Sequence, residues 1–252
     1  GKVHWHDGGL IHAQTAFTAQ QRVYYYREVE REPVIPFAEN IIFQDELILV
    51  AYKPHFLPVM PGGGYVEECL QNRLRHKCGN QHLQAVHRID KATAGLVLFS
   101  VNPKTRQQYH RLFEAHQIDK TYQAIASTND KEPAENQQWE IKNRLEKSEP
   151  RFLMRIVEGA ANSHSRIRCV KRAGDKALFE LNPVTGKTHQ LRLHMQSLGW
   201  PLLNDSYYPN LQPSQPDDFT KPLQLLAQQL AFTDPITEQA RRFSSNTELR
   251  LD

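Results

Sequence analysis

Three consecutive runs, FLMRIV (152–157), SRIRCVKR (165–172) and KALFELNP (176–183), alternate apolar with polar residues and are parted only by short connectors at Gly159 and Gly174-Asp175. A period of two places one set of side chains on each face of a strand. Connectors this short cannot hold the crossover that parallel neighbours need, so the strands must turn back on one another. KTYQAIAS (120–127) alternates in the same way ahead of a polar surface loop, NDKEPAENQQ (129–138). IIFQDELILVAYKP (41–54) reads as two strands about an Asp45-Glu46 turn, and LVLFSV (96–101) as a buried strand. LQLLAQQLAF (223–232) suits either a helix or an edge strand.

Helical spacing is rarer. VEECLQNRLRHKC (66–78) carries Val66, Cys69, Leu70 and Leu74 on one side and its basic residues on the other. Asn102-Pro103 is an N-cap followed by a first-turn proline, opening a helix to about Ala115 whose Tyr109, Leu112, Phe113 and His116 share a face. A third helix from near Thr188 would bury Leu191, Met195 and Leu198, with Arg192 on a neighbouring face. The sum is an α+β fold, a largely antiparallel, mixed β-sheet core with flanking helices.

Residues 1–33 differ in pattern: short strands around an Asp7-Gly8-Gly9 turn lead to the polar EREP, and residues 34–252 form the main domain. The longest apolar runs, ILVAY and LVLF, are far too short to span a bilayer, and no signal-peptide pattern opens the chain, so a soluble, cytoplasmic protein is expected. Three cysteines without a CxxC pair fit reduced thiols better than disulfides or structural zinc. The net charge of +3 does not identify a nucleic-acid binder. Arg73, Arg75, His76 and Lys77 form one basic cluster, and Arg166, Arg168, Lys171 and Arg172 another. Each alone is an ordinary solvated face unless other features point to RNA.

Gly186-Lys187-Thr188 ends like a phosphate-binding P-loop, but the glycine required five positions before Gly186 is Leu181. No nucleotide cofactor follows from it. His87-Arg88-Ile89-Asp90 differs from a kinase HRD loop by one inserted residue and has no G-x-G-x-x-G loop before it, so Asp90 is a loop carboxylate that could simply cap a turn. His189 and His194 are five apart, about 140° around a helix and on opposite faces of a strand, which weighs against a shared metal. Arg192 near a helix start suits an anion, a carboxylate partner or a surface salt bridge.

Three segments together match one family. HRIDKATAGLVLFS (87–100) resembles the HRLDxxTSGLLL motif of the RluA-type pseudouridine synthases. KTYQAIA (120–126) resembles their KxYxAxV motif, and NPVTGKTHQLRLHMQSLGWPLLNDSYY (182–208) their PxTGRTHQIRVHLxxxGxPIxGDxxY motif, in the family's order. The resemblance implies an enzyme that isomerises uridines of ribosomal or transfer RNA to pseudouridine, with no metal, nucleotide or redox cofactor, acting as a monomer. It implies Asp90 as catalytic carboxylate and Arg192 as its partner. Tyr122 would lie against the uracil, its phenol placed to assist the late deprotonation, and Arg88 would hold the target nucleotide out of its helix. Lys187 and His189, with Arg73 and Arg75 of the first basic cluster, complete the expected RNA contacts. Residues 1–33 would be an arm or the remnant of a small RNA-binding module ahead of a catalytic domain at 34–252. Lys187 stands where the family has arginine, Phe56 and Asn204 where it has glycine, and Pro209 follows the tyrosine pair in place of glycine. A catalytically inactive RNA-binding or assembly factor on the same fold is the alternative.

Overall fold

The computed structural model describes residues 2–25, 32–128 and 131–251. The first half of EREP and the residues Asn129 and Asp130 of the polar loop lie outside them. At the N-terminus β1 (Val3–Trp5) and β2 (Val23–Tyr25) make a separate antiparallel pair. The Asp7 carboxylate accepts the Gly9 N–H at 2.9 Å in the turn that follows β1.

The main sheet contains β3 (Asn40–Gln44), β4 (Ile48–Lys53), β5 (Gln84–Ala85), β6 (Ala94–Ser100), β7 (Asp119–Ser127) and β8 (Gln138–Lys147). It continues with β9 (Met154–Val157), β10 (Ser163–Ala173), β11 (Lys176–Pro183), β12 (Leu225–Thr233) and β13 (Ala240–Ser244). The order is β3-β4-β6-β12-β7-β11-β10-β8-β9, with β13 on β12 and β5 on β6. Every pairing is antiparallel except β6 with β12, so the expected mixed, largely antiparallel sheet is present; but β9 lies on β8 and not on β10, so of the three consecutive alternating runs only β10 and β11 turn back on one another.

Three helices flank it: α1 (Leu70–Cys78), α2 (Arg106–Glu114) and α3 (Gln190–Ser197). Alternate residues of β6 serve two cores. Val97 and Phe99 pack on the side of α1 and α3 with Leu70, Leu74, Leu191 and Met195, whereas Leu96 and Leu98 pack on the side of α2 with Tyr109 and Leu112. A strand buried on both faces needs no polar alternation, which accounts for the unbroken LVLF.

The same reason corrects LQLLAQQLAF. It is neither helix nor edge but the interior strand β12, with β6 and β7 on either side and β13 beyond its C-terminal half. Helix α1 begins at Leu70, not Val66, because the N–H groups of Val66, Glu67 and Glu68 donate to the Glu32 carboxylate at 2.9, 3.0 and 2.7 Å. The basic side of α1 is not a free face. Arg73 donates to the carbonyls of Ile35 and Phe37 and pairs with Glu68 and Glu39, so the arginine clamps the incoming chain. In α2 the helix proper starts at Arg106, and His116, at φ 55°, has already left it and completes no face. Six consecutive residues of α3, Gln190 to Met195, are buried, so this helix is enclosed rather than striped.

Candidate active site

The loop between β5 and β6 carries Asp90. Its entry is anchored by His87, whose Nε2 accepts the Leu98 N–H at 3.0 Å and whose ring stacks on Phe113 at 4.4 Å. Burial first, then the Lys120 charge, pushes this imidazole down to about 3, so it stays neutral and able to accept. The loop's exit is set by Gly95. At φ 119° it meets β12 so closely that a Cβ would lie 2.3 Å from the Ala227 carbonyl oxygen, which only glycine allows. Lys53, fully buried at the end of β4, donates to the carbonyls of Pro54, Leu57 and Lys91 at 2.8, 2.7 and 3.0 Å. Three acceptors match the three protons of an ammonium. Burial pulls that ammonium's pKa down, while the Asp90 charge acts in the opposite sense.

Asp90, Arg88, Tyr122, Lys187, His189 and Arg192 all line one cleft. Arg192 is 2 % exposed, and its Nε and Nη2 grip Asp205 at 2.8 and 2.5 Å while Nη1 reaches Asp90 Oδ2 at 3.4 Å. The rings of Tyr207 and Tyr208 flank the guanidinium, their centres 4.7 and 5.3 Å from Cζ. Burial works against its charge, but Asp205, then Asp90, outweigh that and hold it protonated. The Asp205 side chain is 1 % exposed and the Asp90 side chain 26 %. Asp205 therefore neutralises Arg192, and Asp90 keeps lone pairs open to the cleft.

His189 caps α3 in a left-handed conformation, φ 54°, with Nε2 4.0 Å from Asp90 and Nδ1 2.8 Å from the Tyr208 hydroxyl. That hydroxyl also accepts the Met154 N–H at 2.9 Å, tying β9 to the site. Burial lowers the His189 pKa. His194 turns elsewhere, to Ser163 and Asn143 at 3.1 and 3.0 Å. Tyr122 on β7 is buried, and burial together with the Asp90 charge pushes its phenol upward, so it stays protonated. The GKT turn is internally satisfied, since the Lys187 N–H and the Thr185 hydroxyl both donate to Gln190 Oε1, at 3.0 and 2.6 Å.

Arg73 and Arg75 do not line the cleft. Arg75 donates to the Leu83 carbonyl at 2.9 Å and to Asn72 at 3.3 Å, while Arg73 is spent on the clamp already described. Sequence reasoning missed Asp205, Lys53 and the Tyr207–Tyr208 pair. Asp205 was in view within the third motif; the missing signal was that a buried arginine needs two carboxylate oxygens for its fork.

A family profile described as RNA pseudouridylate synthase matches residues 47–197. The dual-specificity RNA pseudouridine synthase RluA of Pasteurella multocida is 30% identical over 226 residues, 84% of this chain and 94% of that protein. The mitochondrial tRNA pseudouridine(32) synthase of Saccharomyces cerevisiae is 29% identical over 71% of this chain and 38% of its own length. Among solved structures, human RNA pseudouridylate synthase domain containing 1 superposes with a TM-score of 0.66 at 20% identity, covering 86% of each chain, a likeness of fold. A profile match over more than half of the chain, joined to a relative aligned along nearly its whole length, carries the conclusion that this chain belongs to the RluA-type RNA pseudouridine synthases, isomerases acting on RNA.

Proposed function

We propose that the protein converts one or a few uridines of ribosomal or transfer RNA to pseudouridine, with Asp90 as the essential carboxylate. The observation that carries this reading is the division of labour around Arg192. Asp205 takes the bidentate grip and Asp90, one longer contact away, faces the cleft. The reaction breaks the bond from uracil N1 to ribose C1′, rotates the base, joins C5 to C1′ and removes the C5 proton while N1, freed of the sugar, takes up one, so that nothing is added or lost overall. An ionised Asp90 can attack C1′ or assist departure of the base, and either route needs its open lone pairs.

The uridine must leave its stack to reach Asp90, at a cost of about a few kcal/mol. Arg88, exposed at the cleft mouth, is suited to fill the gap it leaves. Tyr122 offers the base a stacking face worth roughly 1–3 kcal/mol. Burial and the Asp90 charge favour the protonated phenol, so it would assist the late deprotonation by taking the C5 proton while giving up its own. Lys187 and His189 are read as contacts to the RNA. Residues 1–33 are read as an RNA-contacting arm, supported by the exposed Phe17, Tyr24 and Tyr25, and residues 34–252 as the catalytic domain. The free thiols of Cys69, Cys78 and Cys169 support a cytoplasmic location, and the monomer is read from the family resemblance. Among the described residues no helix is long and apolar enough to cross a membrane.

The test is incubation with RNA from cells lacking this gene, followed by chemical mapping of pseudouridine. New sites made by the protein and abolished in Asp90→Asn are expected. Undiminished modification by Asp90→Asn would refute the mechanism, and tight RNA binding with no new pseudouridine would favour an inactive binding factor.

A further inference from the structure

Lys120 precedes Tyr122 by two residues on β7, so both side chains leave the same face of the strand about 7 Å apart, and both line the Asp90 cleft. Of the cleft's cations, Arg192 is saturated by Asp205 and Asp90, while Arg88 and Lys187 are exposed to water. Lys120 is half-buried and has neither. Among the described residues no carboxylate pairs with it, and the hydrogen-bond partner of its ammonium is the Thr185 carbonyl at 3.5 Å, the limit of a hydrogen bond. Burial alone draws its ammonium down from the ordinary lysine value. A cation stripped of water without a counter-charge costs stability, and a fold retains it at a cleft where an anion arrives with the ligand.

We infer that Lys120 anchors a phosphodiester oxygen of the target nucleotide's own backbone. The proposal rests on the reading of the cleft as the uridine site and adds the subsite that holds the flipped nucleotide by its phosphate. With uracil against Tyr122 and ribose at Asp90, the phosphate falls two residues back along β7, beside the Thr185–Gly186 turn. The separation of the two side chains matches the span from a nucleobase to its own phosphate. Glycine at 186 keeps this place open: the nearest atom to a Cβ there would be Lys120 Nζ, 4.0 Å away, so the ammonium looks out over bare backbone. Lys120 thus supplies a charge contact independent of base identity, which positions the nucleotide without reading sequence.

The test uses the intact protein with Lys120→Met, which keeps length without charge, and Lys120→Arg, which keeps charge. Binding of end-labelled decauridylate is measured over a salt series. Lys120→Met should weaken binding about tenfold at low salt and flatten the slope of log affinity against log salt by about 0.7, the share of one phosphate on a single strand; Lys120→Arg should restore both. An unchanged slope in Lys120→Met, or salt-independent or absent binding by the unsubstituted protein, overturns the proposal. Thermal melting separates a ligand site from a structural lysine. Loss of an unpaired buried charge should leave the midpoint equal or higher, whereas a lower midpoint with no rescue of binding by Lys120→Arg overturns the phosphate role. Asp90→Asn should keep the full salt slope while losing isomerisation. If it isomerises normally, the Asp90 mechanism falls and the salt result for Lys120 still stands by itself.

Discussion

Arg192 is where two carboxylates compete for one guanidinium, and the geometry decides between them. A planar fork gains most from two parallel bonds, and Asp205 supplies both oxygens while Asp90 supplies one at longer range. Asp205 is itself oriented by the N–H groups of Tyr207 and Tyr208, at 2.8 and 3.1 Å. The two aspartates should therefore fail differently. Asp205→Asn strips a buried arginine of its main counter-charge, a change that costs about 3–5 kcal/mol. It also lets Arg192 turn fully to Asp90, so isomerisation should fall as well. Asp90→Asn leaves the Arg192–Asp205 pair intact and should keep stability to within about 1 kcal/mol while isomerisation is lost. Urea unfolding alongside pseudouridine mapping checks both; an Asp205→Asn protein of unaltered stability would contradict the assignment.

Among the elements, the junction of β6 with β12 has the least tolerance. It is the sheet's parallel step, with Leu226 opposite Ala94 and Ala227 opposite Gly95, and it lies directly beyond the Asp90 loop. Gly95→Ala must place a methyl 2.3 Å from a carbonyl oxygen at a φ that alanine disfavours. Strain of about 1–2 kcal/mol from the backbone adds to overpacking of about 1–3 kcal/mol. The melting midpoint should drop by many degrees, and any folded fraction should lose activity as the loop shifts. Melting curves with an activity measurement decide this, and a Gly95→Ala protein like the original would mean that the strands part easily here. Enclosure of α3 has a related effect: buried on every side, it holds Arg192 in one rotamer between two tyrosines.

At the scale of the whole molecule, the cleft joins the loop before β6, strand β7 and the entry to α3, and its Asp90–Arg192 contact closes across 102 residues of chain. The N-terminal pair β1–β2 shares no strand pairing with the main sheet, while Glu32 already belongs to the main body through its bonds to residues 66–68. Removal of residues 1–31 should leave the melting midpoint nearly unchanged and weaken RNA binding. Removal of residues 1–33 should cost about 1–2 kcal/mol more, through loss of the carboxylate that satisfies three backbone N–H groups; equal melting of the two truncations would contradict this. The strands β7, β10 and β11 and the hairpin of β3 and β4 were legible because a two-residue period is a local property of the chain. So was the proposed catalytic set, because Asp90, Tyr122 and Arg192 each sit in a motif that fixes its neighbours, and the fold brings all three to one cleft. β12 was not legible, since a strand buried on both faces shows no period, and neither was the spending of Arg73 and Arg75 on the chain's own carbonyls and side chains. Sequence alone determined the largely antiparallel character of the sheet, the family and the residues proposed to react. Only the tertiary structure decided which carboxylate Arg192 holds and that Lys120, half-buried in the cleft, meets none among the described residues, because charge pairing depends on which groups lose their water together, and that is settled by packing between residues far apart in the chain.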